Sequence, residues 1–320
     1  MVTPVKTLNE VYSSLSTRRR YEVWFVRVGL AEGDGAWWFR YLLTNPGRGG
    51  CAGNPRGMPV QVWATWFPRD GKPQSFIQGF AMRELELSAG GENPFRMKIG
   101  NNEIGQNWCR GALQVDGHKI EWDMQYRSTF CVTLSNKGWI GFSRSPHSDA
   151  VFSGHISFDG REFRAEPLGF GVQGHNCGYR HRGFWSWAHA YLARPQGPAS
   201  TLEALFYDMP LGLVFRKAVL WHEGKKHVFR KVRQVERDAG QLRWSFSAEH
   251  DGLRLDAAFD GSGAGRHRLP YVKTDCSGSF DVINNSLAKA SVRLERGGAV
   301  EELNTTSGAV LEMAGKLAGG

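Results

Sequence analysis

Residues 174–192, GHNCGYRHRGFWSWAHAYL, gather three histidines, one cysteine, two arginines and two tryptophans. Three chemistries suit such residue types. The first is metal ligation by His175, Cys177, His181 and His189, of which positions 175 and 177 would share one face of a strand. Zinc sites usually pair close ligands at spacings such as C-x₂-C or H-x₃-H. Neither spacing occurs here, so no metal is expected. The second is nucleophilic attack by a Cys177–His dyad. No G-x-S-x-G elbow stands in the chain to support a hydrolase of the serine type. The third is acid–base work in an apolar pocket. His175, Tyr207 and Asp208 can each donate a proton, and Phe170, Phe184, Trp185, Trp187, Phe206 and Trp221 are their aromatic neighbours in sequence. Rings around a carboxyl disfavour its ionised form and raise its pKa. Ring faces can also steady a developing cation. Each residue has a purely structural alternative. A same-face Trp185–Trp187 pair fills a core as readily as it lines a pocket, and a histidine in a β-protein commonly rests hydrogen-bonded inside. Residue types alone favour that alternative.

The elements that would position these groups are strands. Ile120, Trp122, Met124 and Tyr126 alternate with Lys119, Glu121, Asp123 and Gln125, and Leu242, Trp244, Phe246 and Ala248 alternate with Arg243, Ser245 and Ser247. One apolar and one wet face is the mark of antiparallel strands. Turn signals lie between them at Asp70-Gly71, Asp116-Gly117, Asp159-Gly160 and Gly297-Gly298. A short helix is expected only within 5–16. The chain therefore reads as all-β, built of barrels or sandwiches. There is also an internal echo. AWWFRYLLTNP (36–46) followed by VQVWATWFPRDG (60–71) resembles WAHAYLARP (187–195) followed by LEALFYDMPLG (202–212). Such self-similarity suits a duplication. The expected domains are 1–165 and 166–320, with EPLGFGVQG (166–174) as the bridge.

Composition narrows the function classes. Forty Lys and Arg face 31 Asp and Glu, a net charge of +9 that is scattered rather than striped, so no nucleic-acid partner is expected. Cys51, Cys109, Cys131, Cys177 and Cys276 fit neither a zinc ribbon nor a disulfide framework. Free thiols, no apolar leader and no long apolar run make the cytoplasm the expected location and exclude a membrane span. No P-loop or dinucleotide fingerprint occurs, so no cofactor is expected. Twelve Trp and 19 Phe call for a roomy interior or an apolar pocket.

The order of motifs adds a family likeness. An Asn176-Cys177-Gly178 turn, a Trp185-x-Trp187 strand and a strand bearing Tyr207-Asp208 follow one another across residues 154–212. This resembles the lipocalin-like superfamily of hydroxyneurosporene synthases (carotenoid 1,2-hydratases), AttH-like proteins and, more distantly, tocopherol cyclases. The resemblance implies two lipocalin-like antiparallel β-barrel domains in tandem, with a large apolar ligand held between or within them. It implies His175 as proton donor or shuttle, Tyr207 and Asp208 as its acid partners, and Trp187 as an aromatic wall. Trp185, His189, Phe206 and Cys177, with Trp38 and Trp66 from the first half, complete the expected ligand contacts. The chain departs from the hydratases at Cys177, where they tend to carry tryptophan, and at Val172-Gln173-Gly174, where they carry aromatic and acidic residues. The expected activity is cofactor-free hydration, cyclisation or isomerisation of an isoprenoid- or polyketide-like molecule. The alternatives are a non-catalytic lipid carrier or sensor and a Trp-rich carbohydrate binder. Sequence leaves the oligomeric state open.

Overall fold

Strand His118–Arg127 shows the rule that builds both halves. Ile120, Trp122, Met124 and Tyr126 are buried, while Lys119, Asp123 and Gln125 point to solvent. The computed structural model describes residues 8–11, 19–45, 58–90, 93–275 and 277–315. The helix expected within 5–16 and the cysteines Cys51 and Cys276 lie largely or wholly outside these residues. Among the described residues, no helix is long and apolar enough to cross a membrane.

Two antiparallel sheets carry the chain. The first runs in the order Gln74–Phe80, Val60–Pro68, Gly35–Asn45, Arg20–Leu30, Gly169–Gly178, Gly141–Phe158, His118–Arg127 and Trp108–Val115, then continues through Asn102–Gly105 and Asn93–Ile99 to Leu85–Gly90. It rolls until Gln74–Phe80 meets Trp108–Val115. The second runs Lys225–Phe229, Val214–His222, Ser200–Asp208, Trp185–Leu192, Ala299–Ala314, Ser279–Arg296, Leu253–Asp260, Arg243–His250 and Val232–Asp238. Lys225–Phe229 there approaches Arg243–His250, nearly closing a second barrel. Hairpins form where the turn chemistry demands it. Asp116-Gly117 and Asp159-Gly160 both hold positive φ at successive residues, the requirement of the primed turns that match strand twist.

Strand Gly169–Gly178 pairs with Arg20–Leu30 on one side and Gly141–Phe158 on the other, inside the first sheet. The second sheet begins only at Trp185. The stretch 166–174, expected as a bridge opening a domain at 166, is thus mostly a strand of the first barrel, and Asn176-Cys177-Gly178 is its end rather than a turn. The glycines that resemble loop residues serve close approach. A Cβ at Gly171 would overlap the Arg27 carbonyl oxygen, and one at Gly174 would enter the Phe25 ring that covers it across the strands.

Each barrel has its own core. Trp24, Val26, Trp37, Phe39 and Trp122 fill the first, and Phe206, Trp244, Phe246 and Phe259 the second. A third apolar cluster lies in the seam between barrels. Phe25, Trp38, Phe130 and Val172 come from the first barrel and meet Trp187, Leu205, Tyr207 and Val310 of the second. Strands at the seam are therefore buried on both faces. In Arg20–Leu30, Trp24 and Val26 point into the barrel while Phe25 points into the seam. Arg27 also lies in the seam, fully buried. Its Nη2 donates to the carbonyls of Ser286, Ser307 (3.1 Å) and Ala309 (3.5 Å) in the second barrel.

Candidate functional site

At one end of the seam the two barrels stand apart and leave a cavity of about 140 Å³. Strand alternation supplies its walls. In Gly35–Asn45, Trp37, Phe39 and Tyr41 pack the barrel interior, so Trp38, Arg40 and Leu42 face outward into the cavity. Tyr21, Val23 and Phe25 do the same from Arg20–Leu30, and Trp187, Leu205 and Tyr207 close it from the second barrel. Trp38 and Trp187, from the two echoing segments, lie 6.2 Å apart across the seam.

Several of the polar groups on the wall engage one another. Tyr207 Oη and Ser135 Oγ, one from each barrel, share a buried hydrogen bond of 2.8 Å. Burial holds the Tyr207 phenol above its ordinary pKa, partly offset by that bond, so it stays protonated at neutral pH. Tyr21 is pushed up in the same way and stacks on His181 at 4.1 Å. Burial, then the nearby Arg40 charge, pushes His181 down to about 3, so its ring is neutral. Glu312 accepts from Trp185 Nε1 at 3.1 Å and Tyr271 Oη at 3.0 Å, with Arg40 at 3.7 Å. Three buried polar atoms on lining residues remain unpaired: Asn176 Oδ1, an acceptor, and the donors Trp38 Nε1 and Arg40 Nε. Buried orphans of this kind cost free energy unless something occupies the space beside them.

The expected site residues are divided by this geometry. Tyr207, Trp185, Trp187, Cys177 and Trp38 line the cavity. His175 does not. Its ring stacks on Trp24 at 4.4 Å, Nδ1 meets the Leu8 carbonyl at 2.6 Å, and Nε2 meets Glu22 Oε1 at 2.8 Å, all fully buried. Asp208 Oδ1 instead accepts from the Phe184 backbone N–H at 3.0 Å and fixes the turn that leads into Trp185. Period two separates the rest. Phe206, between Leu205 and Tyr207, points the other way and packs edge-on to Trp244 at 4.7 Å. Trp66 stacks on Trp37 inside the first barrel at 5.0 Å. His189 lies elsewhere in the seam, donating from Nε2 to the Ser148 carbonyl at 2.7 Å. Among the described residues, no three His, Cys, Asp or Glu side chains converge as a metal site.

Several wall residues were invisible in the sequence reading. Arg40 was within reach, since it shares the outward face of Trp38 and Leu42. Tyr21, Tyr271 and Glu312 carry no local signal; only the pairing of distant strands brings them together.

No protein-family model matches the sequence, and neither does any curated protein. Solved structures do match. CghA with Sch210972 has a TM-score of 0.66 at 12% identity, over 96% of this chain and 90% of that one. Kievitone hydratase from Nectria haematococca has a TM-score of 0.54 at 10% identity, over 99% of this chain and 96% of that one. A putative AttH from Nitrosomonas europaea has a TM-score of 0.51 at 13% identity, over 99% of this chain and 100% of that one. At such identities the likeness is one of fold. The chain has the tandem lipocalin-like barrel architecture that its motif order implied.

Proposed function

We propose that this protein binds an apolar molecule, isoprenoid- or polyketide-like, with part of its body in the seam cavity, and hydrates, cyclises or isomerises it there by acid–base chemistry. The observation that carries the reading is a ring-lined cavity whose wall includes the protonated Tyr207–Ser135 hydroxyl pair. Aromatic faces and aliphatic side chains select a reactive conformer by shape, which can supply a large part of a rate enhancement. Tyr207 then protonates, or hydrogen-bonds, the group that develops charge, a contribution of about 10²–10⁴-fold. His175 and Asp208 enter as positioning residues. His175 ties the strand end at Asn176 to Glu22 and the Leu8 carbonyl, and Asp208 sets the turn before Trp185. Kievitone hydratase, by its name a hydratase, supports this class of chemistry on such a fold. We place the activity in the cytoplasm, in keeping with the buried thiols.

A carrier is the second reading. Glu312, the sole carboxylate among the described wall residues, is engaged by three partners. A wall without an available carboxylic acid suits retention as well as turnover.

The test is extraction of the purified protein with organic solvent and identification of retained compounds by mass spectrometry. That compound is then incubated with wild type and Tyr207→Phe. Conversion by wild type and its loss in the variant support the enzyme. Retention without conversion moves the protein to the carrier class. No retained compound, together with no change in tryptophan fluorescence on adding retinol or farnesol, overturns the cavity reading.

A further inference from the structure

The charges around the cavity are unequal. Arg40, Lys137, Arg180 and Arg182 line it, against Glu312 alone. Arg40 and Glu312 answer each other. Lys137, Arg180 and Arg182 form no ion pair among the described residues. Each rests over a ring instead: Lys137 over Phe215 at 5.5 Å, Arg180 over Tyr179 at 5.3 Å and Arg182 over Tyr207 at 4.9 Å. A guanidinium held on a ring face keeps its N–H donors free along its edges. The tyrosines and His181 of the wall are neutral and cancel none of this charge.

The cations also share one place. Lys137 and Arg180 are exposed and Arg182 partly so, whereas Phe25, Trp38 and Trp187 are buried. The backbone knits the two charged segments together, since Lys137 N–H donates to Gly141 and Tyr179 N–H to Ile140. The cavity therefore has an apolar floor and a cationic mouth.

We propose that the guest is an amphiphilic anion, an apolar ring-bearing body with one carboxylate-type oxyanion that sits at Arg180, Arg182 and Lys137. This rests on the seam cavity being the guest site. It adds a direction of entry, body first, and leaves the anionic end beside the Tyr207 ring. Bidentate guanidinium contacts would fix that end in register.

Three matched probes test it: 1-pyrenebutyrate, 1-pyrenebutanol and 1-pyrenebutylammonium, titrated into the full chain and followed by energy transfer from its tryptophans. The butyrate is expected to bind about tenfold or more tightly than the butanol, and the ammonium most weakly. About 0.5 M NaCl should reduce the preference, because charges at an exposed mouth are screened. Arg180→Ser combined with Arg182→Ser should remove most of the preference, read as the ratio of butyrate to butanol affinity within the variant. Lys137→Ser is the second variant, with a smaller effect in the same direction. Equal binding of butyrate and butanol to wild type, or a preference that survives both variants, overturns the anionic guest and leaves the cavity reading intact. If pyrenebutanol itself fails to bind, the cavity reading falls first and this inference with it.

Discussion

Arg40 of the first barrel and Glu312 of the last strand approach to 3.7 Å across the seam, while the Arg40 guanidinium lies over Trp38 at 4.6 Å and over Tyr271 at 4.5 Å. Both side chains are about nine-tenths buried. The pair thus joins the two barrels at the cavity wall. Removing one partner of a buried pair strands the other, at a cost of about 3–5 kcal/mol. Arg40→Ala should therefore lower stability by that order in urea unfolding. Arg40→Ala with Glu312→Gln should recover part of the loss, because no charge is left stranded.

Tyr207→Phe keeps the ring and deletes the oxygen shared with Ser135. Expected are a stability loss of about 1 kcal/mol and a fall in turnover of about 10²-fold or more. Binding of the extracted compound should change little. Ser135→Ala should reproduce the stability loss with a smaller kinetic effect, and kcat compared with KM separates the two.

His175→Ala removes a buried partner of Glu22. If positioning is its role, the variant loses about 3 kcal/mol and its Tm falls, while cavity binding by the folded fraction persists. Unchanged stability with abolished turnover would instead make His175 part of the chemistry.

Glu203 carries a pH signature. Burial pushes it up to about 7 from 4.5, against the opposing pull of the Ser145 and Ser148 hydroxyls of the first barrel. In this window the folded state holds a proton that the unfolded chain releases. Its contribution is most favourable below pH 4.5 and declines as pH rises to about 7, by about 1.4 kcal/mol per pH unit at most. His189, its cross-strand partner, is pushed down to about 3 and slopes the other way below pH 6.5. Urea unfolding of wild type and Glu203→Gln across pH 4–8 should show the variant gaining relative stability through this window and levelling off above it.

Arg27 holds the seam through carbonyls of the second barrel and has no ion pair among the described residues. Lysine cannot reproduce its planar fork. Arg27→Lys should destabilise by about 2–4 kcal/mol through unpaired carbonyls and raise the radius of gyration in small-angle scattering near the unfolding midpoint.

Much of the fold was legible because period two is written locally. The alternation around Trp122 and Trp244 and the Asp-Gly pairs produce the strands and turns expected of them. Gly169–Gly178 was less legible, since glycines chosen for close approach look like loop residues. Within the site, Tyr207, Trp187 and Trp38 were recognised by ring type and motif, yet Trp66 and Phe206 share that type and face the cores. What separates them is the parity of each position relative to the seam, and that is set by pairing between distant strands. Glu312 and Tyr271 illustrate the same point, being adjacent in space and 41 positions apart in the chain.

Because the cavity lies on the outer faces of both barrels, the letters that shape it alternate with the letters that fill the interiors. Trp38 and Leu42 can change while Trp37, Phe39 and Tyr41 stay as they are. A lineage of such proteins can reshape the cavity by rewriting every second residue along a few edges of contact, and neither half can inherit that shape without its companion.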